Sequence, residues 1–248
     1  MKPAYLSDKP VYPRSWQQLP LGERIGQLTE QTVNAKCRQF FGYHMVQLGD
    51  LSCQLDLSPC PIQHRILQTH KINNGSGLLS LSEALPYQEN SIDAFVLAHE
   101  LDFASDPHQI LREINYAIIP NGHLVISGFN PVSFAGLGRL LPIKRDSVLR
   151  QARFFTAGRI KDWLQLLGFE VLSDERMLHS ELLFERQARP NSRWQNFSDK
   201  YLPLLGSIYV ITAKKRESTL TMIKPKWKVG RQFAPVGASV QAWHRDSR

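Results

Sequence analysis

IDAFVLA, residues 92–98, carries one charge in seven residues, and DPHQILREINYAII follows it at 106–119. An almost unbroken apolar run of this length is expected where a parallel strand is covered on both faces. Asp106 is placed to cap a helix, Pro107 sits at its first position and Gln109 at its third, as in a capping box. Ile110, Leu111, Ile114, Ala117 and Ile118 then form one apolar stripe, with Arg112 and Glu113 turned outward. Pro120 prevents continuation, Asn121 and Gly122 turn the chain, and HLVIS, 123–127, returns to the sheet. A strand, a helical crossover and a second strand are most simply parallel, so this segment predicts an open α/β sheet.

The same logic recurs on either side. TAGRIKDWLQLLGFEVLS predicts a helix capped by Thr156, buried through Ile160, Trp163, Leu164 and Leu167, closed by Gly168 and followed by a strand. SIYVITA, 207–213, reads as a last strand. Upstream, 23–40 has Ile25, Leu28, Thr32, Ala35 and Phe40 spaced roughly as one helix face, with Gly42 as its stop. His44–Leu48 and 62–69 read as strands, NNGSG as a turn, and LLSLSEALP as a short strand with its loop. The expected architecture is a Rossmann-like, mostly parallel sheet flanked by helices over 21–214. An irregular arm at 1–20 precedes it, with Trp16 and Leu19 as core anchors.

Composition narrows the function. At 248 residues and 42% hydrophobic the chain suits one α/β domain with modest extensions. Cys37, Cys53 and Cys60 make no paired framework, and the first ten residues lack the apolar core of a secretion signal. No run of about 18 uncharged apolar residues suggests a membrane span, so a cytoplasmic location is expected. The +8 formal charge is uneven: 214–248 holds nine Lys or Arg against two acids, leaving 21 against 20 before it, so +7 sits in the tail and +1 in the body. No zinc-type spacing exists; Cys53, Cys60, His64 and His70 read as structural or exposed, and no metal is expected.

In such a sheet, ligands collect beyond the carboxyl ends of the strands, where the strand order reverses. The loops there are GDLSCQLD at 49–56, SLSEALP at 80–86, AHELDFAS at 98–105 and GFNPVSFAGLG at 128–138.

Across 40–130, and above all in SEALPYQENSIDAFVLAHELDFASDPHQILREINYAIIPNGHLVISGFNP, the chain resembles class I S-adenosylmethionine-dependent methyltransferases of the broad "type 11" group. Its Trp-containing arm and basic tail are similar to a proteobacterial branch of that group. The resemblance implies S-adenosylmethionine as cofactor and methyl transfer to a small or medium-sized acceptor. It places Gly49, Asp50 and Leu51 against the methionine part of the cofactor, with Ser52 close by. Ser82, Glu83, Ala84 and Leu85 would lie along the adenine, and Ala98 and His99 where the family closes over the cofactor. Glu100, Phe129, Asn130 and Phe134 fall on the substrate side. His99 is the one candidate acid or base; equally, it could bind by shape or by a hydrogen bond.

Two departures from that pattern stand out. Asp50 and Leu51 occupy positions where the family places small residues and further glycines. The second strand, ending in LQTHK, lacks the acid that holds the ribose hydroxyls; Thr69 or Gln68 offers only a neutral hydrogen bond, and Asp56 is an outlying candidate. A non-catalytic descendant that acts as a binding or scaffold protein is therefore the alternative. The tail, 215–248, mixes cations with Trp227, Phe233 and Trp243, a combination that contacts phosphates and stacks on bases, so RNA-associated methylation is a further alternative and a protein partner another.

Overall fold

The computed structural model describes residues 11–71, 77–131, 152–177 and 207–216. The chain divides into two units, 1–218 and 219–248, and all described residues belong to the first. Phe134 and the tail beyond residue 216 lie outside the described residues, as does most of the NNGSG turn.

Helix α1 (Gly22–Cys37) leads into β1 (His44–Leu48), β2 (His64–Thr69), β3 (Leu78–Leu79) and β4 (Ile92–Ala98). A single turn, α2 (Glu100–Phe103), precedes α3 (Pro107–Ala117) and β5 (Ile118–Phe129). Helix α4 (Ala157–Leu166), β6 (Phe169–Met177) and β7 (Ile208–Lys215) complete the domain. The seven strands are ordered β3-β2-β1-β4-β5-β7-β6. β1 to β5 are mutually parallel, while β7 lies antiparallel between β5 and β6. The strand order reverses between β1 and β4, which run side by side with Leu48 opposite Leu97.

Strand alternation divides the core into two layers. Val46, Leu48, Phe95, Leu97, Leu124 and Ile126 pack with Ile110, Ile114, Ile160 and Trp163 of α3 and α4. Met45, Ala94, Val96, Ala98 and Val125 pack on the opposite face with Ile25, Val33, Cys37 and Trp16. Burial on both faces explains why β4 is apolar almost throughout. At about 1.5–3 kcal/mol for each fully buried aliphatic side chain, these two layers dominate the stability of the domain.

Three details differ from the expected elements. The buried line of α1 is Ile25, Thr29, Val33 and Cys37, and Ala35 is exposed. The arm packs against this rotated face: a β-carbon at Gly22 would overlap the Trp16 carbonyl oxygen, and one at Gly26 would crowd the Trp16 ring at 3.1 Å. Helix α3 ends at Ala117 because Pro120 disfavours helical backbone at Ile119, and pairing with β4 begins at Ile118. The register then shifts, with the 119–122 turn bulging out before His123 pairs with Ala94. Asp106 does cap α3, accepting from His108 and Gln109 backbone N–H groups, but Gln109 does not reciprocate. Its side chain bonds Glu113, and Glu83 accepts the Asp106 N–H instead.

Candidate active site

The loop after β1 is wound tightly by its own polar groups. Gln47, buried on the strand, donates to Ser52 O at 2.8 Å and Leu55 O at 3.1 Å. Ser52 Oγ donates to Leu48 O at 2.5 Å and accepts from Ala98 N at 2.7 Å, joining the ends of β1 and β4. Gly49 N–H donates to Gln68 O at 2.9 Å, joining the end of β2. Asp50 and Leu51 are buried beside it.

Gly49 has φ +94°, outside the range that side chains adopt readily, and a β-carbon there would lie 2.7 Å from Glu100 Cδ and closer still to Oε2. The one glycine of this loop is therefore required by an acid that reaches across from the far side of β4. Glu100, on α2, is only 4% exposed at its side chain. Its Oε1 accepts from His70 Nε2 at 2.6 Å and from Ser82 Oγ at 2.7 Å. Its Oε2 has no hydrogen-bond partner among the described residues. His70 follows β2 directly, its backbone N–H serves the Asp50 carboxylate, and the Tyr12 ring stacks on its imidazole at 3.7 Å.

Electrostatics in this cluster are dominated by carboxylates. Burial drives the His70 imidazole toward neutrality, but the hydrogen bond and charge of Glu100, with Asp50 and Glu83 nearby, outweigh it and raise its pKa. Asp50 is raised by burial, partly offset by His70. Burial next to Glu100 and Glu83 also pushes the Tyr12 phenol up. A histidine raised in the folded state stabilises most below its unfolded pKa of about 6.5, and that contribution disappears as pH rises through the folded value. Accordingly, the melting-temperature advantage of the wild type over His70→Gln should shrink as pH rises from about 6; a constant difference would show that the ion pair does not form.

A second buried pair lies beneath. His99 adopts φ 56°, is fully buried, and brings Nδ1 to 3.0 Å from Asp102 Oδ2, which also accepts from Phe129 N at 3.0 Å. Phe129 lies against the His99 ring at 4.0 Å, tilted by 31°, and Trp16 meets it edge-on at 5.7 Å. His99 Nε2 has no hydrogen-bond partner among the described residues.

The structure thus brings Gly49, Asp50, Ser82, Ala98, His99 and Glu100 together, and sets the other candidates apart in their contacts. Thr69 is buried and turns its hydroxyl to Lys71 O. Gln68 Oε1 accepts from Tyr87, leaving a buried Nε2 without a partner among the described residues. Glu83 accepts from Ser105 Oγ and Asp106 N, so it anchors the start of α3. Ala84 is exposed, and Leu85 packs partly into the core. Asn130 is buried, with its N–H on Ser207 O. Asp56 is exposed and caps its own turn at Ser58. His70 and Tyr12 are the residues that sequence reasoning missed: His70 is neither exposed nor isolated. The acid missing from the strand end was the available signal, since a His there calls for an acidic partner elsewhere. No group of three metal-ligating side chains occurs among the described residues, and none of their helices is long and apolar enough to cross a membrane.

This arrangement sits at the switch point of the sheet, and comparisons with known proteins cover the same region. Residues 43–126 match the family model for a methyltransferase domain. The Escherichia coli protein YafS is 34% identical over 227 residues, spanning 90% of this chain and 89% of its own. The chain belongs to the YafS family. Solved structures with this fold include a S-adenosylmethionine-dependent methyltransferase from Thermotoga maritima, with TM-score 0.56 and 19% identity over 78% of this chain and 91% of that one. Another, from Archaeoglobus fulgidus, has TM-score 0.55 and 16% identity over 77% and 94%. The family is therefore built on the class I methyltransferase fold, and its methyltransferase domain implies S-adenosylmethionine as cofactor. The cluster suits that group chemically: a buried carboxylate with an uncommitted oxygen faces the loop that closes β1, and the cofactor carries a cationic sulfonium.

Proposed function

We propose that this protein transfers a methyl group from S-adenosylmethionine to a small or medium-sized acceptor. The observation that carries the reading is the buried Glu100 carboxylate, held by His70 and Ser82 over Gly49 at the carboxyl ends of β1, β2 and β4. When bound, the cofactor supplies an activated methyl group, and the protein has to position, align and exclude water. In this reading Gly49, Asp50, Leu51, Ser82, Ala98 and Glu100 line the cofactor side, and Phe129 and Asn130 close the acceptor side.

His99 serves as a positioning residue. Its Nδ1 is committed to Asp102 and its ring is enclosed by Phe129 and Trp16, so it holds the end of β4 and has no route for exchanging a proton with an acceptor. A general base is needed only where the accepting atom holds its proton tightly, and an acceptor that is nucleophilic at neutral pH requires none.

One observation favours a second reading, a binding or scaffold protein on the same fold. Asp50 and Leu51 are buried where the family's loop carries small residues and further glycines, and Tyr12 covers His70. Titration calorimetry of the full chain with S-adenosylmethionine and S-adenosylhomocysteine decides between the readings. Micromolar binding of either supports the methyltransferase; no heat from either at millimolar concentration supports the scaffold.

A further inference from the structure

We infer that Glu100 is the residue through which this protein distinguishes the charged methyl donor from its neutral product, an inference that rests on the methyltransferase reading above. The chain has no acid at the end of β2, where Thr69 spends its hydroxyl on Lys71 O and His70 follows. An acid arrives from a different element. The φ 56° backbone at His99 turns the chain sharply after β4 and launches Glu100 back toward β1 and β2.

The carboxylate is built in. His70 and Ser82, from two separate loops, both bind Oε1, which orients the other oxygen over Gly49. Ser82 Oγ is also 3.3 Å from His70 Nε2, so the three side chains form one closed set. Tyr12 stacks on the outer face of the imidazole and limits its movement. Gly49 completes the arrangement, because any side chain there would displace the acid.

The uncommitted oxygen is the point of the construction. The Glu100 side chain is buried, but its Oε2 is not fully enclosed and accepts no hydrogen bond from the described residues, so it is open to a cation or donor that meets it in the working state. His70 is acted on by three carboxylates, Glu100, Asp50 and Glu83. Arg14 also acts on Asp50. The local field therefore favours a positive ligand. S-adenosylmethionine carries a sulfonium charge that S-adenosylhomocysteine lacks, and that charge leaves together with the transferred methyl group. Burial lowers the effective dielectric and makes the difference large enough to measure. A product that leaves once its positive charge is lost would be the functional consequence.

Calorimetry on wild type and Glu100→Gln, each with three ligands, tests this. The ligands are S-adenosylmethionine, S-adenosylhomocysteine and sinefungin, whose amine places a positive charge where the sulfonium stands. Glu100→Gln should weaken both cations at least ten-fold and leave the neutral product within about three-fold. Glu100→Asp, which keeps the charge, should hold the cation-to-product ratio within about three-fold of wild type, and it carries the test if the glutamine variant fails to fold. Equal loss for all three ligands, or a ratio unchanged by glutamine, overturns the role of Glu100 while leaving the methyltransferase reading intact. Tighter binding of all three by Glu100→Gln also overturns it and makes Glu100 a plug. Absence of wild-type binding to any of them overturns both.

Discussion

Gly49→Ala should lower the stability of the domain by about 3–5 kcal/mol, which for a domain of this size is a fall of about 10 °C in melting temperature. Two costs combine. The φ of +94° is strained for any residue with a β-carbon, at about 1–2 kcal/mol. The new methyl group would also fall on the Glu100 carboxylate, which can yield only by releasing His70 and Ser82. Each hydrogen bond to a charged group contributes about 1.5–3 kcal/mol, and a carboxylate pushed off its donors while still buried costs more than its bonds alone. The double variant Gly49→Ala/Glu100→Ala separates the two. It relieves the collision but retains the backbone strain, so the two substitutions should be non-additive by at least about 1 kcal/mol. Thermal unfolding of the four proteins measures this, and strict additivity would show that Glu100 does not occupy the space above Gly49.

The second large effect concerns the pair below the pocket. Asp102→Ala removes the acceptor of both the His99 ring N–H and the Phe129 backbone N–H in a fully buried place, leaving two donors unsatisfied and a small void. Each buried donor left unsatisfied costs about 1–3 kcal/mol, so the two together cost about 3–5 kcal/mol. Asp102→Asn keeps the shape, still accepts from Phe129 N–H, and can donate to the other tautomer of His99, so its cost should stay below about 1.5 kcal/mol. Burial raises the Asp102 pKa in spite of His99 and the Phe129 N–H. Between the unfolded value of about 3.9 and the raised folded value the native state holds more protons than the unfolded one, so stability falls as pH rises through that window. The asparagine variant lacks this slope and should therefore gain on the wild type from acid pH toward neutral. Chemical denaturation of the three proteins across that range provides the check; an alanine variant as stable as the asparagine one would mean that the His99 and Phe129 donors are satisfied elsewhere.

Much of the fold was legible from local patterns. β4 spans the residues that its apolar run marks, and α3 begins at the Asp-Pro step. α4 is capped by Thr156 and stopped by Gly168 with φ +85°. Trp16 and Leu19 are buried as large apolar side chains in a short arm should be. These features depend on a few neighbouring residues: periodicity, a cap, a proline, a glycine. The type 11 resemblance added the ligand-side loops, and Glu100, expected on the substrate side, meets Gly49 and Ser82, expected on the cofactor side.

What each of those residues does depended on partners far away in the chain. Glu100 reads as one more residue after β4 until His70, thirty positions earlier, and Ser82, eighteen earlier, close on the same oxygen. Glu83 looks like an adenine-side group, yet it satisfies a backbone donor at Asp106 that Gln109 was expected to serve. The buried face of α1 packs Gly22 and Gly26 against Trp16, which helical spacing alone does not reveal. The antiparallel β7, inserted between β5 and β6, was hidden for the same reason. The sequence by itself determined which segments become strands and helices and where ligand-facing loops emerge, because those outcomes follow from short-range sterics and apolar periodicity. Only the tertiary structure decided that Glu100, from beyond β4, closes with His70 and Ser82 over Gly49, because hydrogen bonds and charges select partners by distance in space, and chain order carries little record of that distance.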